Sequence, residues 1–136
     1  MNATDRLVAA LQAAGLRVGD GEPRDASGAL TGRYVIVRNR MESRGEGSLG
    51  DPNGDREPEL QITAVGPSRR AADQVAEQAR GVALGLLDPP TGWSWTQAAT
   101  YVTGSPTDVE PLTDPAAADA PTWYRADVYR YYLTPA

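Results

Sequence analysis

The chain has 136 residues, 18 of them acidic and 13 basic, giving a formal net charge of -5, and it contains no Cys and no His. That length suits one domain able to bury roughly two thirds of the surface its unfolded form exposes. The composition excludes disulfides, imidazole or thiolate catalysis and an ordinary structural zinc site, and because every basic residue is Arg it also excludes a Walker A lysine and a Schiff base.

In chain order, "TDRLVAALQAAG" places Leu7, Val8, Leu11 and Ala14 on one helical face, with Thr4 available as N-cap and Gly15 at the stop. The spacing predicts a helix over residues 4–14. Asp5 and Arg6 precede only a short apolar stretch, so neither a signal peptide nor a membrane span is expected, and the chain reads as soluble and unprocessed. The following segment is rich in Gly, Asp and Pro and has room for a short strand near Leu16 to Val18. "RYVIVRN", residues 33–39, is dense in β-branched and aromatic side chains between Gly32 and Asn39, and predicts a strand.

Next comes "GEGSLGDPNGDREPE", which holds two familiar patterns. Gly45, Gly47 and Gly50 spell G-x-G-x-x-G, but Gly50 is followed by the turn formers Asp51, Pro52, Asn53 and Gly54 where a dinucleotide fingerprint needs a helix to begin. Asp51, Asn53 and Asp55 occupy the first three ligand positions of an EF-hand loop. Arg56 then stands where the sharp turn needs Gly, and Ile62 fills the bidentate position, which leaves at most a weak, improvised calcium site. The stretch reads best as a polar arm over residues 41–57 that orders on meeting a partner.

"PELQITAVG" alternates Leu60, Ile62 and Ala64 against Gln61, Thr63 and Val65, predicting a second strand joined to the first by that arm. "PSRRAADQVAEQARGVALGLLDPP" repeats Ala72, Val75, Ala76, Ala79, Val82, Ala83, Leu86 and Leu87 at helical spacing, with Ser68 as cap and Pro89 and Pro90 as terminators. Gly81 and Gly85 are spaced for a small-residue groove, or simply for close packing at a cost in helix propensity. A strand is expected near Ala98 to Thr103, and "DVEPL" reads as a small edge strand within a proline-rich loop.

The final strand, "TWYRADVYRYYL", carries large groups on both faces. Trp123, Tyr129, Tyr131 and Leu133 share one face with Arg125 and Asp127; Tyr124, Ala126, Val128 and Tyr132 share the other with Arg130. Helices on one side of a sheet leave the second side needing other cover, either from a neighbouring molecule or from burial within the one subunit. Trp123, Tyr129 and Tyr131 are taken as the outward face, although alternation alone permits the inverse.

The order helix, strand, strand, long helix, strands predicts an α+β, two-layer domain spanning residues 1–136, its mostly antiparallel sheet packed by two helices and carrying a long hairpin arm. The helix "TDRLVAALQAAGL", the strand "YVIVRN", the arm, the strand and helix of "ELQITAVGPSRRAADQVAEQARGVALGLL" and the closing "TWYRADVYRYYL" together resemble the tail terminator proteins of long, non-contractile-tailed bacteriophages, also called tail completion or head-tail joining proteins. The resemblance rests on element order and texture over nearly the whole chain and involves no diagnostic motif.

It implies a structural virion protein of the tail or neck, assembled in the host cytoplasm, whose hexameric ring caps the completed tail tube. Its implied partners are further copies of itself, the tail tube protein and the head-side connector or stopper, with transient, non-specific passage of DNA and no membrane. It implies no catalytic residue, cofactor or metal. An acidic balance suits a ring through which DNA slides without sticking. Arg44, Glu46, Asp51, Asp55 and Arg56 on the arm, with Trp123, Tyr129 and Tyr131, are the candidate subunit or partner interface. Two other readings stay open: another neck protein, such as a head-tail stopper or adaptor, and a ferredoxin-like module for a small ligand or calcium. A carboxylate enzyme comes last, given the missing general bases.

Overall fold

Helix α1 (Ala3–Ala13) starts one residue earlier than its apolar spacing predicts, because Asn2 rather than Thr4 is its cap. The Asn2 side chain accepts from the Asp5 backbone N–H at 2.9 Å, and the Asp5 carboxylate accepts from the Asn2 N–H at 3.1 Å, closing a capping box. Thr4 is buried instead. Asn2→Ala is therefore expected to cost about 1 kcal/mol of stability, read as a lower urea midpoint, whereas an unchanged midpoint would return the cap to Thr4. The computed structural model describes residues 2–25, 28–44, 54–85, 87–109 and 122–136.

The remaining elements are β1 (Val18–Asp20), β2 (Arg24–Asp25), β3 (Gly28–Ala29), β4 (Tyr34–Arg44), β5 (Arg56–Gly66), α2 (Arg69–Ala83), β6 (Trp93–Trp95), β7 (Thr100–Gly104), β8 (Asp108–Val109), β9 (Trp123–Arg130) and β10 (Leu133–Pro135). Strands β4, β5 and β9 form the antiparallel centre of an eight-stranded sheet. β1 adds to β4 in parallel, and β7 and β8 both pair with the far side of β9. The α+β, mostly antiparallel architecture is the one the sequence predicts. The small β2–β3 hairpin and the strand β6 were not expected.

Two boundaries differ for physical reasons. β4 and β5 run on into the expected arm, with Met41 to Arg44 paired against Glu59 to Arg56 beyond an irregularity at Arg40. The terminal strand, expected to be continuous, breaks after Arg130. Its partner there is Pro58, which has no N–H to donate, so the ladder between β5 and β9 ends at Glu59 and Arg130. The Tyr131 N–H still donates to the Pro58 carbonyl at 3.0 Å, and β10 then pairs with β6 and, through Leu133, with Arg56.

Both helices lie on one face of the sheet. The α2 stripe toward the sheet is mostly alanine: Ala72, Val75, Ala76, Ala79 and Ala83 are all buried. A helix face so thin leaves space that the large residues of β9 and its continuation fill, so Tyr129, Tyr131 and Leu133 complete a core with Leu7, Leu11, Val35, Val37, Leu60 and Ile62. Ser68 caps α2, its hydroxyl accepting from the Ala71 N–H at 3.1 Å, as the sequence predicts. The helix ends at Ala83, before Pro89 and Pro90, leaving Leu87 buried outside it. Gly81 and Gly85 are both exposed, and a Cβ on Gly81 would meet open space, so the pair forms no groove against the sheet. Gln78 on α2 donates to the Ala14 carbonyl at 3.0 Å, tying the end of α1 to the second helix.

Candidate functional site

Strand alternation and sheet register decide which side chains meet on each face. On the helix side, the rows Asn39–Leu60–Tyr129–Tyr101 and Val37–Ile62–Asp127–Gly104 cross the sheet from β4 to β7. Tyr129 is the largest fully buried side chain and Tyr131 is 2 % exposed. Their expected outward placement is therefore reversed: both belong to the subunit core, and Trp123, on the same face, is half-buried at the end of β9 opposite Gly66 and Val109. Alternation grouped these residues correctly. The alanine stripe of α2 decided which group turned inward.

Burial pushes the Tyr129 and Tyr131 phenols well above the ordinary range, and the nearby Asp127 carboxylate raises Tyr129 further. The Tyr131 hydroxyl donates to the Ala83 carbonyl at 2.8 Å, at the end of α2. Because the folded state holds both phenols neutral, their contribution to stability is complete below about pH 10, the unfolded value, and is lost as pH rises through the folded ones. An alkaline titration should thus withhold part of the phenolate absorbance until the chain unfolds, and Tyr131→Phe should shrink that delayed phase. Appearance of the full signal while circular dichroism stays native would contradict the assignment.

Beside Tyr129 lies a polar cluster. Asp127 is 4 % exposed, and its carboxylate accepts from the Tyr101 hydroxyl at 3.2 Å and pairs with the Arg125 Nε at 3.3 Å. The Arg80 guanidinium of α2 stacks on the Tyr101 ring at 4.6 Å, and the edge of that ring meets Tyr129 at 5.8 Å. Gly104 leaves the space this cluster needs, since a Cβ there would sit 2.2 Å from both the Asp127 carboxylate and the Tyr101 hydroxyl. Nearby, the Thr107 hydroxyl donates to Asp73 of α2. The cluster fixes β7 against α2 and offers no paired carboxylates. Among the described residues, no group of three or more acidic side chains is placed to hold a metal ion.

The opposite face carries a second, smaller apolar cluster. The row Tyr34–Val65–Tyr124 crosses β4, β5 and β9, and with Leu30 and Ile36 it forms a separate small cluster. A groove of about 700 Å³ runs over it, bounded by Pro23 and Ala29 near the β2–β3 hairpin and by Arg38, Gln61 and Thr63. The second face is thus covered largely within the subunit: Leu30, Tyr34, Ile36 and Val65 are buried, and Tyr124 is half-buried.

Of the arm residues, Arg44 and Arg56 are register partners at the distal end of the hairpin. Arg56 stacks its guanidinium over Trp93 at 5.4 Å, and Asp55 sits half-buried just before it. Glu46 and Asp51 lie outside the described residues, as does Asn53 of the calcium-like pattern. Sequence reasoning missed Tyr101 and Val102, the exposed large apolar side chains of the described residues, at 37 % and 39 % exposure on β7. "TYVTG" signalled a strand; nothing local marks it as an edge.

No protein-family model matches the chain, and no curated protein matches it. Its fold is similar to that of a chain in the solved structure "Virion of native gene transfer agent (GTA) particle", at 16% sequence identity and a TM-score of 0.56, covering 97% of this chain and 87% of that one. Among the described residues no helix is long and apolar enough to cross a membrane.

Proposed function

We propose that the chain is a structural subunit of a phage-like virion that caps the completed tail tube as a ring and joins it to the head-side connector, DNA passing through the lumen. The observation that carries this reading is the likeness in fold, over 97% of the chain, to a chain of a gene transfer agent virion. The element order from α1 to β9, on which the tail terminator resemblance rests, supports it. So do Tyr101 and Val102 on β7, the exposed large apolar side chains of the described residues, which suit contact with a neighbouring protein.

On this reading the partners are further copies in a hexamer, the tail tube protein and the connector or stopper. The virion neck is the location, reached by assembly in the host cytoplasm, and the work is done by surfaces without a catalytic residue. Its net charge of -5 leaves DNA free to slide. Sedimentation velocity and negative-stain imaging of the purified protein, alone and mixed with tail tubes, test the proposal. A ring, free or seated at one end of the tubes, is the expected result. A monomer at every concentration that ignores the tubes would overturn it in favour of a small-ligand module.

A further inference from the structure

We propose that neighbouring copies join edge to edge, β7 of one copy pairing antiparallel with the distal half of β4, Arg38–Arg44, of the next. The proposal rests on the reading of the chain as a ring subunit and specifies the contact that builds the ring.

Its first support is the pattern of open edges. β1 covers β4 only at Val35, Ile36 and Val37, so among the described residues nothing pairs with the outer edge of β4 beyond them, and Arg38, Asn39 and Arg40 are exposed. At the other side of the sheet, all five residues of β7 are exposed, and among the described residues β7 pairs only with β9. β1 is a poor template, because the chain folds back against it: the Glu22 carbonyl lies 2.0 Å from where a Gly19 Cβ would sit. β6 offers only three residues. The two usable edges therefore lie on opposite sides of one sheet, which is the arrangement for head-to-tail contacts that close into rings.

Strand direction is the second support. β4 pairs with β5, β5 with β9 and β9 with β7, each antiparallel, so β7 runs opposite to β4 within a subunit. A copy carried sideways along the sheet presents its β4 antiparallel to the first copy's β7. The alternation then continues from subunit to subunit without a break, in the more stable of the two ladder types.

Chemistry distinguishes this pairing from its rivals. The distal β4 edge reads "RNRMESR", three Arg and one Glu, so two such edges repel each other. "TYVTG" has neither charge nor proline, the usual guards of an edge strand, although a bulge at Val102 adds twist. The exposed large apolar residues, Tyr101 and Val102, sit on this unguarded strand. Tyr101 is already held by Asp127, Arg80 and Tyr129, so an approaching strand meets an ordered anchor and little side-chain freedom is lost.

The absence of native cysteine makes the test clean. Thr103→Cys on β7 is prepared as one pool, and Arg38→Cys, Asn39→Cys and Arg40→Cys on β4 as three others, each with its thermal melt compared with the parent chain. Pools are mixed under reducing conditions, assembled and mildly oxidised. Disulfide dimers should form between the β7 pool and at least one β4 pool. The Thr103→Cys/Asn39→Cys double variant, or the double variant at the best-reacting position, should give a ladder of oligomers at the expense of the monomer band. Hydrogen exchange at Thr100–Gly104 and Arg38–Arg44 should slow together on assembly of the parent chain. Rings that form with exchange unchanged at both edges, or dimers confined to the Thr103→Cys pool, would overturn the edge pairing while leaving the ring reading intact. A chain that stays monomeric with and without tail tubes removes both.

Discussion

Tyr129→Ala is expected to cost the folded subunit about 3–5 kcal/mol, read as a steep fall in the urea midpoint of the monomer. The side chain it removes is 1 % exposed and is the largest of those fully buried. It fills the space left by the alanine stripe of α2, and neither Ala76 nor Ala79 can expand into the void. Tyr131→Ala should behave alike, losing in addition the hydrogen bond to Ala83 and the ring contact with Trp95 at 5.6 Å. Tyr124→Ala, on the opposite face, should lower the midpoint far less and weaken association more, if that face meets a neighbour. Should Tyr129→Ala leave the midpoint in place while weakening association, Tyr129 would be an interface residue and the assignment of the two faces would be wrong.

Gly66→Ala is expected to destabilise the subunit by about 1–3 kcal/mol, a large effect for a single methyl group. Gly66 ends β5, and a Cβ there would lie 2.6 Å from the Ala72 backbone nitrogen and 2.9 Å from the Ala71 carbonyl carbon. These are backbone atoms in the first turn of α2, so relief requires the helix to move away from the sheet and the Ser68 cap to shift with it. Gly81→Ala supplies the opposite sign on the same helix. Its Cβ meets open space on an exposed face, and alanine should stabilise by about 0.5–1 kcal/mol through helix propensity alone. Paired urea titrations read both. Equal midpoints for the two variants would mean that the junction between β5 and α2 is looser than its geometry implies.

The legible parts of this fold are those set by near neighbours in the chain. The helical period of Ala72 to Ala83, the Ser68 cap and the alternation of "PELQITAVG" each depend on a handful of consecutive residues, and each was readable as sequence. The first cap was missed by two positions because Asn2 and Thr4 are both good caps; the capping box with Asp5 favoured the earlier one. The break after Arg130 was not readable, since its cause, Pro58, lies on a strand far away in sequence.

The candidate surfaces divide in the same way. Sequence alone determined that Tyr129 and Tyr131 share a face and that Tyr124 and Ala126 share the other, because side-chain direction alternates with every residue along a strand. It also determined that no imidazole, thiolate or lysine chemistry operates here, because those side chains are absent. Which face met the helices, and which strands were left at the sheet's edges, only the tertiary structure decided. The face followed from volume: an alanine-lined helix needs large partners, and the Tyr129 face supplied them. The open edges of β7 and distal β4 followed from register, since β1 pairs with β4 no further than Val37 and nothing described lies beyond β7, a property no residue of either strand carries by itself.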